Sequence, residues 1–207
     1  MNEVAVNFEA GAREFARQLF GYQPAEADLA RLAGALPGAT VKVAVRRQKG
    51  WLYLTVSDAR FERYETSIRQ DADGSLFAYL HHIYAATGQR GKGYGVRAFL
   101  RQVNSARRLG LTRFELHAAG YSGSSDENGY YVWARFGFEA PLRVTEQARL
   151  PKPLQGATTL NQLIQRGGQP WWKLFGSARS MRFDLADGST MLAVFRAYLQ
   201  EKHITEE

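Results

Sequence analysis

The stretch from Leu76 to Leu109 constrains the fold more than any other. It opens with Leu76-Phe-Ala-Tyr-Leu-His-His-Ile-Tyr-Ala85, an unbroken apolar and aromatic run interrupted only by histidines, which predicts a buried strand. Apolar residues then recur at Val96, Phe99, Leu100, Val103 and Ala106, the spacing of a helix that buries one face. Between the two, Thr87 to Gly95 holds four glycines and two cations. Strand, glycine-rich turn and helix in series form a shape suited to phosphate. Glycines let backbone N–H groups approach an anion with no Cβ in the way, and the unpaired N–H groups at a helix start carry positive partial charge.

Three kinds of glycine loop must be told apart. A Walker loop needs Gly-x4-Gly-Lys followed by Ser or Thr; here Gly91-Lys92 is followed by Gly93, and the residue five before Gly91 is Ala86. A dinucleotide fingerprint would read Gly93-x-Gly95-x-x-Ala98, with Glu115 twenty residues past Gly95. Glu115 sits inside the strand Phe114-Glu-Leu-His117, however, and no further strand–helix–strand repeats follow to build the sheet that fingerprint needs. The third pattern, Arg90-x-x-Gly93-x-Gly95 after an apolar strand and opening a helix, resembles the acyl-CoA motif of the GNAT N-acetyltransferase superfamily.

The next segments extend the resemblance. Leu111 to Ala118 alternates as a strand, a Gly/Ser/Asp loop follows, and Gly129 to Phe138 reads as a short helix ending in Gly137-Phe138, where that family carries a Gly-Phe pair. The resemblance spans roughly residues 40 to 140. It implies an α/β fold of the mixed α+β kind: a mostly antiparallel central sheet flanked by helices, with a splayed parallel strand pair at the acyl-CoA site. It implies a GNAT-like domain over 1–140, with 141–207 as an extension packed on it. It also implies acetyl-CoA as co-substrate, held by Arg90, Gly91, Lys92, Gly93, Tyr94 and Gly95, with the main chain of Ile83, Tyr84 and Ala85 along the pantetheine arm. The expected reaction is transfer of the acetyl group to an amine by direct attack, with no metal. The alternatives are a catalytically weak acyl-CoA-binding module and a dinucleotide-binding protein.

Amine acetylation needs a group or water chain that takes the amine proton, and a donor for the departing thiolate. His81 and His82 are the candidates for the first task. Strict alternation puts Tyr79 and His81 on one side and allows only one histidine to face a given cleft, unless a bulge shifts the parity. The family's usual donor, a tyrosine four residues before the glycine of the Gly-Phe pair, is replaced by Trp133, and an indole N–H is no useful acid. Tyr130, three residues earlier, shares the helix face and is the substitute donor. Asp126, Glu127 and Asn128 would rim the cleft and attract an ammonium group.

Composition narrows the rest. The chain has no cysteine, which rules out a thiol nucleophile and a disulfide framework. Its net charge is +7, which suits an anionic ligand such as CoA. The cations are scattered along the chain, in Arg46, Arg47 and Lys49 and again in Arg97, Arg101, Arg107 and Arg108, which argues against nucleic acid as the partner. The acceptor amine belongs to a small molecule, a peptide or a protein; nothing in the sequence sets an oligomeric state. The first residues have no basic segment leading a long apolar run, and no apolar stretch reaches the roughly 18 residues of a membrane span, so the expected location is the cytoplasm.

Two helices are expected within 11–37, strands at Val41–Val45 and Trp51–Val56, and a third within Phe61–Gln70 that turns at Asp71-Ala-Asp-Gly74. Beyond Phe138 the pattern is looser. Thr158 to Arg166 reads as a helix, Met181 to Leu185 as a strand, and Ser189 as the cap of a last helix. Trp171 and Trp172 are expected to be core residues.

Overall fold

Val41, Val43 and the alternating Leu52, Leu54 and Val56 each place an apolar side chain on one face of a hairpin, and that face begins the core. The computed structural model describes residues 4–124 and 128–205. In chain order the elements are β1 (Ala5–Phe8), α1 (Ala12–Phe20), α2 (Glu26–Leu32), β2 (Thr40–Arg46), β3 (Trp51–Ser57), β4 (Phe61–Gln70), β5 (Leu76–Ala85) and α3 (Tyr94–Arg108). They continue as β6 (Arg113–Tyr121), α4 (Gly129–Arg135), α5 (Val144–Gln147), α6 (Leu160–Gln165), α7 (Gln169–Phe175), β7 (Ser177–Asp184) and α8 (Thr190–Glu201). The fold is mixed α/β, with a mixed sheet flanked by helices. Among the described residues no helix is long and apolar enough to cross a membrane.

By its internal contacts the chain separates into two units, the first running to Phe114 and taking in Thr205 as well, the second covering Glu115–Ile204. The division falls inside β6. In the first unit, β2, β3, β4 and β5 form the antiparallel meander expected from their turns. β1 was not anticipated: it pairs parallel with β2, Ala5 opposite Thr40 and Phe8 opposite Val43, with α1 and α2 forming the crossover. One face of this sheet carries Val41, Val43, Leu52, Leu54, Tyr64, Ile68, Ala78 and Leu80, all buried. Each such large side chain contributes about 1.5–3 kcal/mol by leaving water.

Helix α3 is tied to that buried face through Gln102, which is fully buried. Its amide donates to Leu32 O and Thr66 Oγ1, both at 3.0 Å, and its carbonyl oxygen accepts from the Tyr64 hydroxyl at 2.9 Å. Polar groups inside a core are stable only when so completely paired. Gly34 lies over the Tyr64 ring at φ +79°, and a Cβ there would fall 2.1 Å from the Tyr64 oxygen.

The second unit gathers around Trp172, Phe138, Phe183 and Phe195, each fully buried. The Trp172 indole donates to Tyr130 O at 2.9 Å, and the Arg179 guanidinium lies 4.5 Å from its ring centroid. Arg179 is itself nearly buried, ion-paired with Glu146 and donating to Pro141 O. Trp172 is thus the core residue expected, while Trp171 stays partly exposed against Phe175. Helix α6 starts at the cap Thr159, and α8 starts at Ser189, whose Oγ accepts from Met191 N at 3.2 Å.

Candidate functional site

The loop after β5 takes the shape its glycines require. Gly88, Gly91 and Gly93 sit at φ of 80°, 78° and 79°, the left-handed region that other residues enter only with strain. Gly93 is the cap of α3, and a Cβ at Gly88, Gly91 or Gly95 would meet nothing within 4 Å. The first backbone bond into α3 runs from Arg97 N to Gly93 O at 3.1 Å. Upstream of it, the amides of Gly91 through Val96 donate to no other described residue. Alternating left-handed glycines leading into a helix start make a concave row of N–H groups, a nest for an anion.

The side chains around this row are partly engaged. Lys92 Nζ donates to Gln89 Oε1 at 3.2 Å, and Arg97 Nη1 donates to Lys92 O at 3.2 Å. Glu62 Oε1 accepts from Thr87 N and Oγ1, so one carboxylate pins the start of the loop. Arg90 and Lys92 are exposed, and Tyr94 is half-buried with the Arg60 guanidinium 5.7 Å from its ring. Ile83, Tyr84 and Ala85 pair on one side with Tyr64, Arg63 and Phe61 of β4, and all three remain partly exposed.

At the histidines the sheet departs from strict alternation. Glu65 pairs with His82 while the next β4 residue, Thr66, pairs with Leu80, so His81 is the extra residue of a β-bulge. The simple expectation that only one histidine could face a given side is therefore corrected. The ring of His81 lies 4.9 Å from Tyr79 and 6.5 Å from His82, and His82 stacks on Tyr84 at 5.9 Å, all on the face opposite the aliphatic core.

His81 is fixed by its neighbours. Ser67 Oγ lies 2.9 Å from His81 Nε2, Arg69 Nη2 lies 3.4 Å from the same nitrogen, and Arg69 Nε donates to Ser67 Oγ at 3.0 Å. Because guanidinium can only donate, Nε2 acts as the acceptor and the ring proton is assigned to Nδ1. Burial first, and the Arg69 charge second, pull His81 down from 6.5 to about 4. It is neutral at physiological pH and a weak base. Ser67 is fully buried, so this serine–histidine contact presents no accessible nucleophile.

In the second unit Tyr130 is buried and its hydroxyl donates to Lys173 O at 2.7 Å. Burial is the largest influence on the phenol and raises its pKa. Trp133 packs edge-on against Phe136 and Phe138 at 5.6 and 5.0 Å. The Gly137-Phe138 pair has a steric cause: Gly137 has φ 92°, and a Cβ there would lie 2.4 Å from Met191 O. Asn128 is the exposed cap of α4, while Asp126 and Glu127 lie outside the described residues.

Sequence reasoning missed the Ser67–Arg69–His81 network. Its only sequence signal was Ser and Arg two apart on one strand, and it needed the register between β4 and β5 to become visible. Among the described residues no group of three or more His, Asp and Glu side chains converges as a metal site would. Compared with known proteins, the chain matches no family model, no curated protein and no solved structure.

Proposed function

We propose that the chain binds acetyl-CoA or a related acyl-CoA at Arg90–Gly95 and transfers the acyl group to an amine, working in the cytoplasm. The observation that carries this reading is the row of undonated amides from Gly91 to Val96, reached through left-handed glycines directly after a strand. Such a row suits the diphosphate of CoA, and Ile83 to Ala85 offer the adjoining strand to the pantetheine arm. In the proposed step the neutral amine nitrogen attacks the thioester carbonyl carbon, the C–S bond breaks, and an amide and a thiolate form. The amine proton leaves to water beside His81, which is a poor acceptor for it because Nε2 already accepts from Arg69 and Nδ1 carries the ring proton. The thiolate is a good leaving group that water can protonate. Tyr130, the donor implied by the family resemblance, already uses its O–H in a hydrogen bond to Lys173 O.

That commitment of Tyr130 favours a second reading, a catalytically weak acyl-CoA-binding module. Thiol release from acetyl-CoA against a panel of amines and peptides, with mass spectrometry of the products, separates the two. Acetylated product from any acceptor supports the enzyme; CoA binding without product supports the module. His81→Ala and Tyr130→Phe run beside the wild type test the role assignments.

A further inference from the structure

The cations that look scattered along the sequence gather on one side of the first unit. Arg46 is opposite Trp51 in the β2–β3 pairing, Tyr53 is opposite Ser67, and Ser67 is opposite Tyr79, so these residues share the face away from the aliphatic core. Arg69 joins them, its guanidinium 3.6 Å from the Trp51 ring centroid and 4.1 Å from that of Tyr79. Arg46 lies 5.5 Å from the Tyr53 ring, and Lys49 Nζ lies 4.7 Å from Trp51. Tyr53 also stacks on His81 at 5.2 Å and 21°. Arg46 and Lys49 are exposed, whereas Trp51, Tyr53, Arg69 and Tyr79 are partly exposed. A groove of about 580 Å³ runs into the edge of this face, lined by Arg46, Lys49, Tyr53, Gln48 and Glu9.

We infer that this face, Arg46, Lys49, Trp51, Tyr53, Arg69 and Tyr79, binds single-stranded nucleic acid. Aromatic rings and guanidinium planes laid side by side on a sheet offer stacking surfaces for unpaired bases, and the cations around them match the phosphates between those bases. A duplex hides its base faces and could use only the charge. The carboxylates nearby do not reverse the sign: Glu9 is ion-paired with Lys42 at 2.7 Å and Glu65 with Arg63 at 3.2 Å. None of these residues belongs to the loop from Arg90 to Gly95, although Tyr53, Tyr79 and Arg69 contact His81.

The test is fluorescence anisotropy with labelled oligonucleotides of about 12 nucleotides, within the range one sheet platform covers. The probes are single-stranded RNA, single-stranded DNA, the same DNA as a duplex, and inorganic polyphosphate as an unlabelled competitor. One single-stranded probe should bind at least about tenfold more tightly than the duplex and resist polyphosphate, and the tighter of the two names the polymer. Three cations should give a salt dependence of log K near −2, at roughly 0.7 per phosphate neutralised. Trp51→Ala should weaken binding about 5- to 100-fold. Arg46→Glu and Lys49→Glu, both at exposed positions that folding does not need, should weaken it at least as much. Phe175→Ala, in the second unit, should leave it unchanged. Equal affinity for duplex, full displacement by polyphosphate, or unchanged binding in the two charge reversals overturns the proposal, as does the absence of binding to either single strand.

Discussion

Replacing Gly34 by alanine should destabilise the protein far more than the same change at Gly21. Both glycines have left-handed backbones, φ +79° and +75°, so both substitutions carry the same conformational penalty of about 1–2 kcal/mol. At Gly21 a Cβ meets nothing within 4 Å, and the penalty ends there. At Gly34 the Cβ would stand 2.1 Å from Tyr64 Oη and 2.6 Å from Cζ, distances no real contact reaches. The Tyr64 ring must move, and its 2.9 Å bond to Gln102 moves with it. Leaving that buried amide oxygen unpaired adds about 1–3 kcal/mol, giving a total of roughly 2–5 kcal/mol. Urea denaturation of the two variants measures the difference. In a Tyr64→Leu background, where the ring and hydroxyl are gone, Gly34→Ala should cost little more than Gly21→Ala. Equal costs for the two glycines in the native background would refute the reasoning.

His81 should remain neutral down to about pH 5, and its NMR titration should centre near 4, not 6.5. Because its folded pKa lies below the unfolded value, the unfolded chain takes the proton first. The stability is therefore complete above about pH 6.5 and declines toward pH 4. Solvent screening of this partly exposed ring limits the loss to on the order of 1–2 kcal/mol, and His81→Phe should flatten that decline. Tyr130→Phe should cost about 1 kcal/mol of stability through the lost bond to Lys173 O and should lower any acetyl transfer by less than about tenfold. A loss of about 10²–10⁴-fold would instead make Tyr130 the acid.

How much of this could be read beforehand depended on whether a feature is local. The alternation of Val41, Val43 and Val45 marks β2, Ser189 marks the start of α8, and the glycines between Thr87 and Gly95 mark the loop, because each signal sits in the residues that form the element. β1 escaped notice because its four residues acquire strand character only by pairing with β2, across two helices. The bulge at His81 and the contact of Gly34 with Tyr64 are likewise set by register and packing, which no window of sequence contains. The gathering of Arg46, Lys49 and Arg69 on one face had the same origin. Their separation along the chain concealed a proximity that the hairpin and its neighbour create.

The acyl-CoA reading is tested most directly by following the backbone amides of residues 88–96 by NMR as CoA is added to the wild type and to Gly93→Glu. The replaced Cβ would meet the Arg97 guanidinium at 3.5 Å and Val96 Cγ1 at 4.0 Å, both ordinary contacts, so the variant should fold despite the strain of its positive φ and would bring a carboxylate to the amide row. The reading predicts saturable shifts of Gly91 through Val96 in the wild type, none in Gly93→Glu, and none when NAD replaces CoA. Unmoved amides at about millimolar CoA, the upper end of the range of ordinary KM values, or shifts with NAD alone, would contradict it.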